Sequence, residues 1–260
     1  VLWFLAVTHV YAVIAWVLYP TWPLGQTYTK GLLGGDQQEA IAADIAVATE
    51  ARADWMAALA TQDFDMIRAN PDLMTRAIAT AAPLFGQNCQ VCHGAGGAGG
   101  SIFPRLSDEI WLWGGTAEEI ETTLRYGINS PHPDTHFAQM PAFGRDGLLT
   151  RPEISVLTDY VQTLANGVIL DDPSDGAVLF QTNCAGCHGE DARGLEGTGA
   201  PDLTDADWLY GGEEATIRQT LLNGRQGVMP AWQGRLSDSE IRMLALYVEG
   251  LSDEGAGDLP

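Results

Sequence analysis

One stretch of this chain is written twice. Residues 84 to 94, LFGQNCQVCHG, align with residues 179 to 189, LFQTNCAGCHG, at an offset of 95, and FPRLSDEIWLWGG (103 to 115) aligns with APDLTDADWLYGG (200 to 212) at an offset of 97. The match continues through Leu124 with Leu221 and Gly127 with Gly224, and then MPAFG (140 to 144) meets MPAWQG (229 to 234) at an offset of 89. The first copy therefore holds eight more residues, within INSPHPDTHFAQ. Each copy closes on an amphipathic segment, RPEISVLTDYVQTLA (151 to 165) or SDSEIRMLALYVEGL (237 to 251), in which Tyr160 and Tyr247 correspond. A chain of 260 residues can bury a core in each of two such modules. The repeat places them at 80–170 and 171–260, with Asp171, Asp172 and Pro173 as the linker.

All four cysteines lie in the repeat, as Cys89 and Cys92 and as Cys184 and Cys187, each pair followed at once by a histidine, His93 or His188. C-x-x-C-H is the attachment signature of a c-type haem: both thiols form thioethers to the porphyrin and the histidine ligates iron. A zinc site would need the two motifs to converge from separate modules, each with an accidental histidine. The expected cofactors are thus two covalently attached haem c groups.

A six-coordinate electron-transfer haem needs a second axial ligand, and a thioether raises its potential relative to a second imidazole. Met140 and Met229 stand in M-P-A-aromatic at matching places, each expected to serve the motif of its own copy. Pro141 and Pro230 restrict the loops that hold them. Rival ligands are His132 and His136 of the extra segment, which nothing in the second copy matches. The carbonyls of Pro104 and Pro201 are placed to accept the N–H of the haem histidines. Phe85 and Phe180 read as core, and Trp111, Trp113, Trp208 and Tyr210 as pocket walls or module filling.

Residues 1 to 19 carry no formal charge, and at about 1.5 Å per residue they nearly span a bilayer core. With Tyr19, Trp22, Pro20 and Pro23 as interfacial exit and helix stop, 1–23 is expected to be a transmembrane anchor in contact with lipid through residues 1–19. His9 within it is expected as a neutral imidazole bonded to a neighbouring helix. Residues 24–79 form a connecting segment with helical patches. Haem attachment of this kind occurs outside the bacterial cytoplasmic membrane, so the expected protein is a single-pass inner-membrane protein with periplasmic haem domains.

The 34 Asp and Glu against 13 Lys and Arg give a net charge of -21, which excludes a nucleic-acid surface and favours a cationic partner such as a basic cytochrome c or a cytochrome bc complex.

Taken together, the anchor, the L-F-x-x-N-C-x-x-C-H-G and D-x-x-W-L-W/Y-G-G strings, and GINSPHPDTHFAQMPAFG (127 to 144) resemble the membrane-anchored dihaem subunit III, the CcoP or FixP type, of cbb3-type cytochrome c oxidases. That resemblance implies a mainly α chain of one transmembrane helix and two tandem class I cytochrome c domains. It also implies His and Met ligation of both haems, and delivery of electrons towards a catalytic oxygen-reducing subunit, with a monohaem subunit in the same complex. No oxygen-reducing centre is expected in this chain, whose histidines beyond the two haem ligands are His9, His132 and His136. A free-standing membrane-tethered dihaem shuttle would carry the same haems, and a dihaem peroxidase would need an open iron position.

Overall fold

Side-chain caps decide where five of the helices begin. Asn70 accepts from the Leu73 amide ahead of Pro71, Ser174 accepts from the Ala177 amide, and Thr116–Glu119 and Thr150–Glu153 form reciprocal capping boxes. Ser237 and Glu240 make the same exchange at the last helix. The computed structural model describes residues 1–19, 23–24, 27–28, 30–34, 36–165, 174–195 and 197–253. The expected linker residues Asp171, Asp172 and Pro173 and the interfacial Pro20 and Trp22 lie outside them.

The chain divides into two units, Val1–Ala57 and Ala58–Pro260. In the first, the apolar run forms helix α1 (Leu2–Leu18), followed by a two-residue antiparallel pair of strands, β1 (Pro23–Leu24) and β2 (Thr27–Tyr28). His9 Nδ1 bonds to the Leu5 carbonyl oxygen at 2.8 Å, so this imidazole is satisfied by its own helix rather than by a neighbour. Among the described residues no helix is long and apolar enough to cross a membrane. The expected span over 1–23 is met only by the 17 residues of α1, about 26 Å of helix. Helix α2 (Gln37–Thr61) runs from this unit into the next.

The second unit is helical: α3 (Phe64–Arg68), α4 (Pro71–Asn88), α5 (Gln90–His93), α6 (Ala117–Tyr126) and α7 (Arg151–Leu164), then α8 (Asp175–Asn183), α9 (Ala185–His188), α10 (Glu214–Asn223) and α11 (Asp238–Asp253). Its packing crosses the expected boundary between the copies. The last helix α11 lies on α4 and α6 of the first copy, while α7 lies on α8 and α10 of the second. Tyr247 meets Phe85 with ring centroids 5.3 Å apart, and Tyr160 meets Phe180 at 5.8 Å.

Hydrophobic pattern permits this exchange. Ile154, Leu157, Tyr160, Val161 and Leu164 on α7 correspond one to one with Ile241, Leu244, Tyr247, Val248 and Leu251 on α11, and all ten are buried. Either helix therefore carries the apolar stripe that either half requires.

Charge selects it. On α11, Asp238 pairs with Arg125 at 2.6 Å, Arg242 stands 3.6 Å from Glu121, and Glu249 takes Arg68 at 2.8 Å and the Ala117 amide at 2.8 Å. At those three places α7 has Arg151, Ser155 and Gln162, and the second copy has Arg218 and Leu222 where the first has Glu121 and Arg125. Packed on its own copy, α11 would set Arg242 towards Arg218 and Asp238 towards Leu222. The exchanged arrangement avoids both.

Candidate haem sites

Each C-x-x-C-H forms one tight turn at the end of a capped helix. Cys89 ends α4 and Cys184 ends α8, with nearly equal backbone angles (φ -112, ψ -36 and φ -119, ψ -34). Cys92 and His93 amides return to the Cys89 carbonyl at 3.1 and 2.9 Å, and Cys187 and His188 return to Cys184 at the same distances. Both cysteines of a motif and its histidine thereby fall on one short turn, as attachment to a single planar group requires. The four thiols are free, with no disulfide among them. Burial pushes the Cys89 thiol up to about 11 and Cys184 up to about 12, with Cys92 and Cys187 adding to each.

The carbonyls expected behind the histidines are in place. His93 Nδ1 donates to the Pro104 oxygen at 3.1 Å, and His188 Nδ1 to the Pro201 oxygen at 3.0 Å. A carbonyl only accepts, so the proton sits on Nδ1 and Nε2 keeps its lone pair for a metal. Burial lowers both imidazole pKa values, partly opposed by these bonds, which also favours the neutral ligating form. Phe85 and Phe180 are buried where core was expected. Among the described residues no group of three or more His, Cys, Asp or Glu could hold a metal ion. Two free thiols, a neutral imidazole and a thioether per half fit a covalent haem, and the donor set is of that kind.

The methionines are placed crosswise. Met229 and Ile128 exchange both backbone hydrogen bonds (3.0 and 2.9 Å), which sets the second copy's methionine beside the end of α6 in the first. Met140 and Arg225 do the same (2.9 and 3.1 Å), which sets the first copy's methionine beside the end of α10 in the second. Gly127 and Gly224, at φ +71 and +69, permit the approach. A Cβ at Gly127 would lie 2.8 Å from the Ala231 nitrogen, and one at Gly224 2.9 Å from the Ala142 nitrogen, each nearest of all to the methionine carbonyl. The expectation that each methionine serves its own copy is not how the backbone arranges them.

His132 and His136 are engaged elsewhere: His132 stacks on Tyr126 (4.7 Å) and accepts from the Asp134 amide, and His136 stacks on Trp113 (4.3 Å). Sequence reasoning missed Asn129. It adopts φ +50, a region asparagine tolerates, and its Nδ2 donates to the carbonyls of Ala138 and Gly227 at 2.7 Å each, tying together the loops that carry Met140 and Met229. The only trace of this role in the sequence was an asparagine two residues past Gly127.

Helices around a C-x-x-C-H turn, with a carbonyl-oriented histidine and a methionine loop, define a c-type cytochrome. Residues 78–165 match the family Cytochrome c, and residues 171–248 match the family Cytochrome C oxidase, cbb3-type, subunit III. The chain is 45% identical to the cbb3-type cytochrome c oxidase subunit CcoP of Azospirillum sp. (strain B510), over 96% of this chain and 88% of the relative. It is 45% identical to subunit FixP of Bradyrhizobium sp. (strain ORS 278), over 94% and 85%, and 42% identical to CcoP of Cereibacter sphaeroides, over 96% and 87%. The chain belongs to the CcoP/FixP family of cbb3-type cytochrome c oxidase subunits.

Proposed function

We propose that this chain is the dihaem electron-transfer subunit of a cbb3-type cytochrome c oxidase, taking electrons from a cationic cytochrome c or a cytochrome bc complex towards the catalytic oxygen-reducing subunit. Cys89 and Cys92 would hold one haem c, with His93 and Met229 as the residues that ligate its iron. Cys184 and Cys187 would hold the other, with His188 and Met140. The single observation that carries the crossed assignment is the pair of backbone ladders, Met229 with Ile128 and Met140 with Arg225.

Bound haem c supplies a one-electron iron couple. The protein's part is to hold and tune that couple. Pro104 and Pro201 lock the imidazole tautomer and strengthen each histidine as a ligand. The Met-Pro loops would hold the two thioethers at their sites, and a thioether ligand together with an imidazole would favour the reduced metal. Phe85 with Tyr247 and Phe180 with Tyr160 exclude water behind the attachment turns.

The anchor belongs to the same reading. Helix α1 has no charged side chain, most of its apolar side chains are exposed, and Thr8 and His9 bond back to its own carbonyls. A helix of that kind is at home in lipid, single-pass in the bacterial inner membrane with the haem domains in the periplasm. Mild-detergent purification followed by mass spectrometry tests the reading. The chain is expected to emerge with the catalytic and monohaem subunits and with two haems bound covalently; recovery alone would overturn the subunit assignment.

A further inference from the structure

One side chain grips both methionine loops at the same step. Asn129 Nδ2 donates one hydrogen to the Ala138 carbonyl and the other to the Gly227 carbonyl, both at 2.7 Å, and Oδ1 accepts from the Ala138 amide at 3.1 Å. Ala138 stands two residues before Met140, and Gly227 two residues before Met229. These two positions also correspond to each other, at the offset of 89 that aligns the methionines. Carbonyls only accept, so the amide must present its nitrogen to both, and its orientation is fixed.

The repeat gives Asn129 no counterpart in this role. At the offset of 97 its place in the second copy is Gln226, which is exposed and whose side chain has no hydrogen-bond partner among the described residues. Gln226 is followed directly by Gly227, whereas the eight extra residues of the first copy, 130 to 137, fall between Asn129 and Ala138. That excursion closes on the asparagine. Its backbone amide donates to the His136 carbonyl at 2.7 Å, and its side chain takes both backbone groups of Ala138. With the two methionine ladders, the contacts form a closed ring: Met229 to Ile128 and its neighbour Asn129, Asn129 to Ala138 and on to Met140, Met140 to Arg225, and along the chain through Gly227 back to Met229. The bond from Asn129 to Gly227 bridges that ring.

We infer that Asn129 is the positioning residue for the methionine ligands of both haems and couples their seating, so that displacing the thioether in one site loosens the thioether in the other. This inference rests on the proposed haem sites. Its physical basis is the way the bonds are shared. Ala138 supplies two of the three bonds that hold the amide, and Gly227 supplies one. When the Met140 loop swings away, the amide loses both of the bonds that orient it, and a freely turning side chain no longer holds Gly227. Arg225, freed from Met140 at the same moment, begins the segment 225–229 that ends on Met229. Each loop therefore seats more firmly when the other is in place. Linkage makes the effect reciprocal, whichever thioether leaves first.

Titration of the oxidised, detergent-solubilised complex with imidazole tests this: an imidazole nitrogen binds iron as the thioether leaves, with no change of oxidation state. The share of the methionine–iron absorption that belongs to this chain is the part that Met140→Ala and Met229→Ala remove. In the wild type that share is expected to bleach in one step, steeper than two independent sites allow. Asn129→Gly tolerates the backbone angle and removes the amide, and Asn129→Asp keeps the shape but puts an oxygen where Nδ2 donates. Both variants should admit imidazole at both sites at concentrations lower by about fivefold or more, and in two independent steps; outright loss of both bands is the same result in stronger form. Gln226→Ala, at the corresponding place, should titrate as the wild type does. Absence of any such band from this chain in the wild type would instead strike at the proposed sites themselves. With the band present, independent bleaching in the wild type, a shift confined to one site in Asn129→Gly, or an Asn129→Asp variant as resistant as the wild type overturns the coupling, and so does a Gln226→Ala variant as loose as Asn129→Gly.

Discussion

Phe85, four residues before the first attachment cysteine, packs its ring 5.3 Å from that of Tyr247, on the last helix of the chain. The contact closes the first haem module with a helix from the end of the second. It follows that neither half completes its core alone. Removing Tyr247's ring by substitution with Ala should cost about 3 kcal/mol, as for other buried aromatic residues, and a chain ending at residue 236 should lose haem at Cys89 and Cys92. Gly176→Ala tests the other crossing: the added methyl would lie 2.6 Å from Tyr160 Cβ. Although Ala is favoured over Gly in a helix by about 1 kcal/mol, this variant should melt at a lower temperature. Calorimetry checks both, and a truncated chain that keeps both haems would refute the exchange.

The crossed methionines can be read in a chain that carries one haem. With Cys184 and Cys187 both replaced by Ala, the haem remaining on Cys89 and Cys92 should lose its methionine–iron absorption when Met229 is replaced by Ala and keep it when Met140 is. The reverse result would return each methionine to its own copy.

Much of this site was legible without coordinates because its chemistry is local. C-x-x-C-H needs a single turn, and the proline carbonyls lie only 11 and 13 residues beyond their histidines. Phe85 and Phe180 could be assigned to the core from their register with the motifs. The exchange of α7 and α11 was not legible from pattern, since the two helices carry the same apolar stripe and either satisfies either half. What distinguishes them is a set of charges, Asp238, Arg242 and Glu249, whose partners are more than a hundred residues away and have meaning only once the pairing is known.

Glu121 is the hinge of that charge code, bonded to Arg125 at 2.6 Å and facing Arg242 at 3.6 Å, with all three side chains less than a fifth exposed. Glu121→Arg reproduces what Arg218 supplies in the second copy. It should destabilise the protein by about 3 kcal/mol, since it leaves like charges partly buried and unpaired. Combining it with Arg242→Glu should recover much of that loss. Urea unfolding of the four combinations gives the coupling directly; strictly additive losses would mean that these charges do not choose the helix.

The acidic surface makes a prediction about the donor. A net charge of -21, to which haem carboxylates would add, should produce a field that steers a cationic donor towards this chain. The Debye length shrinks from about 30 Å at 0.01 M salt to about 10 Å at 0.1 M, so long-range attraction present at the lower concentration is largely screened at the higher. Stopped-flow reduction by a cationic donor should therefore slow by about tenfold or more over that interval, while electron transfer within the complex should not change. A second-order rate equal at both salt concentrations would leave the acidity with solubility as its only role, and would point to an apolar docking face.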